Sequence, residues 1–114
     1  MAFSVTEGTE TVGTTEHSLT TDTAGPDADT TECYVQAFVD LNALAAGDQY
    51  ELKIYEKIQS GGTQRLLNSV TFTGVQSNPI YVHPPLHLKY GWDVTLVKLA
   101  GTDRAISWSL RKTA

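Results

Sequence analysis

From Cys33 to Leu41 every odd position is apolar (Cys33, Val35, Ala37, Val39, Leu41), while the even positions mix aromatic and polar side chains. A period of two puts the odd set on one face, so the segment predicts a strand with a fully buried side. Tyr50 to Ile58 repeats the pattern through Tyr50, Leu52, Ile54 and Ile58. Between them, Asn42 to Asp48 is long enough for one helical turn and is closed by Gly47, which marks a connector. Gln59–Thr63 holds Gly61-Gly62 and predicts a turn, after which Gln64–Thr73 sets Leu66, Val70 and Phe72 against polar neighbours. Two strands around a Gly-Gly turn predict a hairpin.

From Gly74 to Pro85 the pattern is irregular, and Pro79, Pro84 and Pro85 confine Ile80-Tyr81-Val82 to a short edge strand. Trp92–Leu99 and Ala105–Lys112, joined by Ala100–Arg104, predict a last hairpin with Ile106, Trp108 and Leu110 on one face and the serines and Arg111 on the other. No window keeps the 3.6 period over the ten or so residues a helix needs. Short strands separated by turn signals predict an all-β fold, a single-domain antiparallel β-sandwich or small barrel.

The first quarter of the chain is different. Gly8 to Glu32, GTETVGTTEHSLTTDTAGPDADTTE, is rich in threonine and acid and holds no lysine or arginine. Weak alternation through Thr9, Thr11 and Val12, then Thr14, Thr15, His17, Leu19 and Thr21, together with β-branching, favours strand over helix. Thr9–Thr21 therefore predicts an edge strand or strand pair, and Asp22–Thr31, with Gly25-Pro26, a loop. Disorder is the competing expectation, because low hydrophobicity with like charge is what unfolded segments carry. Residues 1–31 are read as a threonine-rich acidic arm or edge strand within one domain spanning 1–114.

At 114 residues the chain is one domain by size and can bury about 60% or more of its unfolded surface. Cys33 is the single cysteine and cannot close an intrachain bridge, which fits a reducing site of synthesis. The start, Met-Ala-Phe-Ser-Val-Thr-Glu, has neither the basic nor the apolar region of a secretory signal. No apolar run approaches the roughly 20 residues that span a bilayer, so a soluble, cytoplasmically made protein with no membrane partner is expected.

The formal charge of −5 divides into −10 for residues 1–52 and +5 for the remainder, since all eight basic residues lie at or beyond Lys53. Such polarity suits a subunit that meets copies of itself head to tail or a partner with a charged face, unless folding interleaves the charges. The acidic balance argues against direct binding of nucleic acid.

Chemical signatures are sparse. His83 and His87 have the spacing of a helical zinc pair, but Pro84-Pro85 forbids the helix. Asp27, Asp29 and Glu32 begin like a calcium loop without its turn glycine or closing glutamate. No metal or other cofactor is expected. Cys33 falls on the predicted buried face, where a thiol is inert. There is no Gly-x-Ser-x-Gly elbow and no phosphate-binding glycine loop. Glu51 and Glu56 stand among lysines, as cross-strand ion pairs do. An enzyme is not expected. Tyr81, Tyr90 and Trp92 gather around the proline-rich stretch, either as an exposed aromatic surface for a sugar or protein partner or, the favoured reading, as rings closing the end of a core.

Several stretches together resemble small virion proteins of tailed bacteriophages, in particular capsid cement, or decoration, proteins. They are Gly13–Thr21, Leu44–Asp48, Tyr55-Glu56-Lys57, Gly62–Arg65, Gly91-Trp92-Asp93 and Trp108–Lys112, and the likeness runs from about Thr9 to the end. The resemblance implies a jelly-roll-like sandwich on the outer surface of the head, bridging major capsid proteins, commonly as a homotrimer, after synthesis in the host bacterial cytoplasm. It transfers no catalytic residue. In that setting Thr14, Thr15, Glu16, His17, Thr20, Thr21 and Asp22 are the candidate contacts with the capsid or an adjacent copy, by strand addition or charge. The other expectations are a host-surface carbohydrate-binding module using Tyr81, Tyr90 and Trp92, and a low-copy tail or head-completion protein.

Overall fold

The alternation from Cys33 onward becomes a strand, β4 (Cys33–Asp40), whose four odd residues are all buried. It lies inside a two-sheet sandwich, seen in a computed structural model that describes residues 3–113. The other strands are β1 (Phe3–Val12), β2 (His17–Ser18), β3 (Thr23–Ala24), β5 (Gln49–Glu56), β6 (Arg65–Thr73), β7 (Ile80–Val82), β8 (Leu86–Leu88), β9 (Asp93–Ala100) and β10 (Arg104–Thr113). Among the described residues there is no helix.

The first sheet runs β1-β10-β4-β7, with β8 beside β7 on the same side of β4; the second runs β3-β2-β9-β5-β6. Every pairing is antiparallel. Val35, Val39, Ile106, Trp108 and Leu110 of the first sheet meet Tyr50, Leu52, Ile54, Val94 and Leu96 of the second in one core. The molecule is a slab 41 × 30 × 20 Å, as expected when two sheets stack about 10 Å apart.

Residues 3–31 are part of this sandwich. β1 begins before Thr9 and pairs with β10 along its whole length, from Phe3 opposite Thr113 to Val12 opposite Arg104. Of the expected Thr9–Thr21 strand only Thr9–Val12 belong to this edge strand; Gly13–Glu16 turn, and His17–Ser18 form β2, which lies inside the second sheet between β3 and β9. Gly8 faces inward at the level of Trp108, and a Cβ at that position would sit 2.8 Å from the indole. Glycine thus lets the ring lie against the edge backbone. Val12 and Leu19 are fully buried, so the segment contributes to the core despite its composition. The stretch Asp22–Thr31 is loop apart from β3 and an isolated bridge from Asp29 to Trp92.

Three expectations are corrected. β9 and β10 do not form a hairpin: β9 pairs with β2 and β5, β10 with β1 and β4, and the chain crosses between sheets over Gly101–Asp103. Both strands turn one apolar face inward, and a hairpin and a sheet-crossing arch share that pattern. Leu66 points outward, because a bulge at Leu67 shifts the β5–β6 register between Ile54/Asn68 and Tyr55/Leu66 and reverses the faces beyond it. Ile58 lies past the end of β5 and is 76% exposed. The structure also adds β8, which the irregular stretch had hidden.

Polar groups hold the β9–β10 arch. The Tyr50 hydroxyl accepts the Arg104 N–H at 2.8 Å and stands 2.9 Å from Thr102 O and 3.0 Å from Val12 O. Asp48 accepts the backbone N–H groups of Thr102 and Ala45, each at 2.9 Å, and the Arg104 Nε–H at 2.7 Å. The Thr102 and Ala45 amides, then Arg104, hold the Asp48 carboxyl down at about 2. Gly101 has φ +90°, and an added Cβ would lie 2.2 Å from Asp48 Oδ1. Only glycine allows this approach.

Candidate functional site

The candidate contact residues all lie at the end of the sandwich where β1 hands over to β2. The chain leaves β1 at Val12, turns through Gly13–Glu16, forms β2, and doubles back at Asp22 into β3. Asp22 adopts φ 57°, a left-handed conformation that aspartate tolerates, and its N–H donates to Ser18 O at 3.0 Å. The result is a cleft of about 390 Å³ whose walls include Glu10, Thr14, Thr15, His17, Asp22 and Asp103.

His17 forms the floor. Its ring is buried edge-on to Trp108, with centroids 5.4 Å apart, and its Nε2 lies 2.8 Å from Asp22 Oδ1. Nδ1 faces Glu10 Oε2 at 3.6 Å. Both ring nitrogens are therefore turned toward carboxylates. Asp103 is paired with Lys98. Carboxylates and threonine hydroxyls on a fixed turn accept hydrogen bonds from amides or cations.

The seven residues serve different purposes. Thr14, Thr15, Thr21 and Asp22 are exposed. Glu16 turns away, over the outer side of the second sheet, where it accepts the Tyr55 hydroxyl at 2.6 Å and the Thr95 hydroxyl, with Lys53 Nζ 3.8 Å from its other oxygen. Burial and then Glu16 push the Tyr55 phenol well above its ordinary value. His17 is internal, and Thr20 is half-buried with its hydroxyl unpartnered among the described residues. Thr21 and Thr23 both donate to Asp27 Oδ2, at 2.6 and 3.1 Å. Asp27 N–H and the Ser18 hydroxyl in turn donate to the fully buried Asp93, at 2.7 and 2.8 Å. These bonds fasten the corner to β9.

Tyr81, Tyr90 and Trp92 do not make a common surface. Trp92 is fully buried, with its indole N–H donating to Thr31 O at 2.8 Å. Tyr81 packs edge-on against Phe72, opposite the start of β5, with centroids 4.9 Å apart. Tyr90 lies at the far end of β5, where its carbonyl accepts the Lys57 N–H. Large rings found their burial in different parts of the sandwich.

Among the described residues no group of three or more His, Cys, Asp or Glu is arranged to hold a metal ion. His83 is buried, donating through Nδ1 to Pro84 O at 2.8 Å, whereas His87 is exposed beside Glu32. Asp27 is engaged as above, Asp29 accepts the Thr31 N–H, and Glu32 sits with His87 and Lys89. Cys33 is buried, and burial pushes its thiol up. Glu51 lies 3.6 Å from Lys53 on its own strand, while Glu56 accepts the N–H groups of Lys89 and Tyr90.

A second surface went unread in the sequence: the outer face of the first sheet. Tyr34, Ile80, Val82 and Val5 are 58%, 48%, 41% and 55% exposed there, and the Arg111 guanidinium stands 3.8 Å above the Phe38 ring. The register places Thr9, Ser107, Asp40 and Ile80 in one row across this face, next to the acidic corner. The aromatic side chains at even positions of β4 were its signal. No protein-family model matches the chain, and no curated protein or solved structure matches it either.

Proposed function

We propose that this protein is a non-enzymatic structural subunit of a tailed-phage virion that binds the outer surface of the head and stabilises it by bridging major capsid proteins. The identification rests on the resemblance of Gly13–Thr21, Leu44–Asp48 and Trp108–Lys112 to capsid cement proteins. One structural observation supports it: a slab with a bare apolar and aromatic outer face, carrying a stacked arginine. Tyrosine, phenylalanine and arginine are the side chains that dominate protein interfaces. Beside it, exposed Thr14, Thr15, Thr21 and Asp22 offer hydroxyl and carboxylate acceptors for cationic or amide groups of the shell. A protein that binds only the assembled lattice stabilises it by mass action. Trp92, one of the three rings on which the carbohydrate reading rests, is internal.

Quantitative mass spectrometry of purified virions from the source tests this reading. Copies comparable to the major shell subunit are expected; a handful would assign the protein to the tail or a vertex, and absence would overturn the virion reading. Binding to heads stripped of the protein then locates the contact. Phe38→Glu and Asp22→Lys are each expected to weaken it about tenfold or more, with the fold intact by circular dichroism. Deleting residues 1–31 is unsuitable, since it removes β1, Val12 and Leu19 from the sandwich.

A further inference from the structure

Three of the four sheet edges are blunted against other chains. β1 carries Glu7 and Glu10. β3 is two residues long. The β7–β8 edge is interrupted by Pro84-Pro85. Charge, brevity, proline and bulges are the devices that keep strand edges from pairing. β6 has none of them along most of its length: it spans nine residues, and its single charged residue is Arg65 at the first position. Among the described residues it pairs only with β5. Leu66 and Leu67 are 51% and 43% exposed at its start. Beyond the bulge at Leu67, Asn68–Thr73 is an unbroken strand, whose Ser69 N–H donates to Asn68 Oδ1 at 2.9 Å and would exchange that local bond for one across a joint.

We infer that β6 pairs edge to edge with β6 of a second copy of this chain, antiparallel and centred on Val70, joining two second sheets into one. In this register Val70 faces Val70 of the second copy, Ser69 faces Thr71, and Asn68 faces Phe72. β-branched and hydroxyl pairs of this kind are favourable cross-strand neighbours.

Charge selects this partner. The two Arg65 residues fall at opposite ends of the joint, about 30 Å apart at roughly 3.3 Å per residue, well beyond the screening length of about 8 Å. β1 carries Glu7 on one face and Glu10 on the other, so pairing it with itself would add like charges to both faces of the joint. The two-fold axis runs along the sheet normal, so both copies turn the Tyr34–Phe38 face the same way. Two weak feet on one body bind a repeating surface with far higher avidity than one. The contact closes at two copies, in place of the trimer that the resemblance implies. It does not depend on the capsid reading.

Sedimentation equilibrium of the full chain, from low micromolar to submillimolar concentration, tests the pairing. The expected mass is twice the 12.4 kDa of one chain. Ser69→Lys and Thr71→Lys each set like charges across the axis and should raise the dimer dissociation constant about tenfold or more. Mixing Ser69→Lys with Thr71→Glu should restore a dimer, because the opposite charges then face each other. A monomer throughout, a trimer, or a dimer indifferent to these substitutions would overturn the inference. Should a charged variant fail to fold, Ser69→Cys mixed with Thr71→Cys must give a disulfide-linked heterodimer on oxidation, and its absence would overturn the pairing equally.

Discussion

Replacing Tyr50 by phenylalanine removes one oxygen from the interior and leaves the shape of the side chain intact. That oxygen accepts the Arg104 N–H at 2.8 Å and directs its proton between Thr102 O at 2.9 Å and Val12 O at 3.0 Å. Tyr50 is fully buried, and the Arg104 amide beside it, itself partly buried, loses its partner. A buried donor left unpaired costs about 1–3 kcal/mol, and the lost O–H···O bond about 0.5–1.5 kcal/mol. The greater apolarity of phenylalanine offsets part of this, which leaves a net loss of about 2 kcal/mol. In a domain of this size that lowers the melting temperature by about 8 °C. Thermal and urea unfolding followed by circular dichroism measure it, with an unchanged m value because the surface exposed on unfolding is the same. A loss below about 0.5 kcal/mol would refute the reasoning, since the arch would then be held by packing rather than by this hydroxyl.

Other outcomes follow from neighbouring groups. The Asp48 carboxyl, held at about 2, stabilises the fold above its unfolded value of about 4, and that stability is lost as pH falls from there through about 2. Melting scans should therefore show a shallower acid loss in Asp48→Asn than in the wild type, and parallel acid limbs would remove Asp48 as the cause. Tyr55 keeps its proton in the fold beyond the ordinary tyrosine value of about 10, so its contribution is present below that pH and lost above it. Tyr55→Phe should flatten the fall of the urea midpoint between about pH 9 and about pH 11. Gly101→Ala combines φ +90° with a Cβ 2.2 Å from Asp48 Oδ1. A loss of about 3 kcal/mol or more is expected in denaturant titrations, and a variant as stable as the wild type would show that the arch can shift.

What could be read along the chain was whatever repeats locally. The period of two at Cys33–Leu41 and Tyr50–Ile54 marks strands because successive side chains must take opposite faces, and β4 and β5 bury those residues. The prolines around Ile80–Val82 announced an edge strand for the same kind of reason, a missing backbone donor, and β7 lies at that edge. The partner of each strand was decided by long-range packing. β9 and β10 carry the alternation of a hairpin and lie in different sheets, because Gly101 and the bonds from Thr102 to Asp48 and from Arg104 to Tyr50 turn the chain across the core. One extra residue at Leu67 reversed Leu66, a shift no periodicity records in advance.

The same division applies to the candidate surfaces. Threonine and acid from Gly8 to Glu32 identified a polar segment by composition alone. Only the tertiary structure separated exposed Thr14, Thr15 and Asp22 from Glu16 and His17, which are bound to Tyr55, Thr95 and Asp22. Trp92 is inside and Tyr34 outside for a reason sequence cannot carry: a ring is buried when another sheet covers it. Local alternation determined that there would be two-faced strands, and the packing of one sheet on the other decided which faces, edges and corners remain open to a partner.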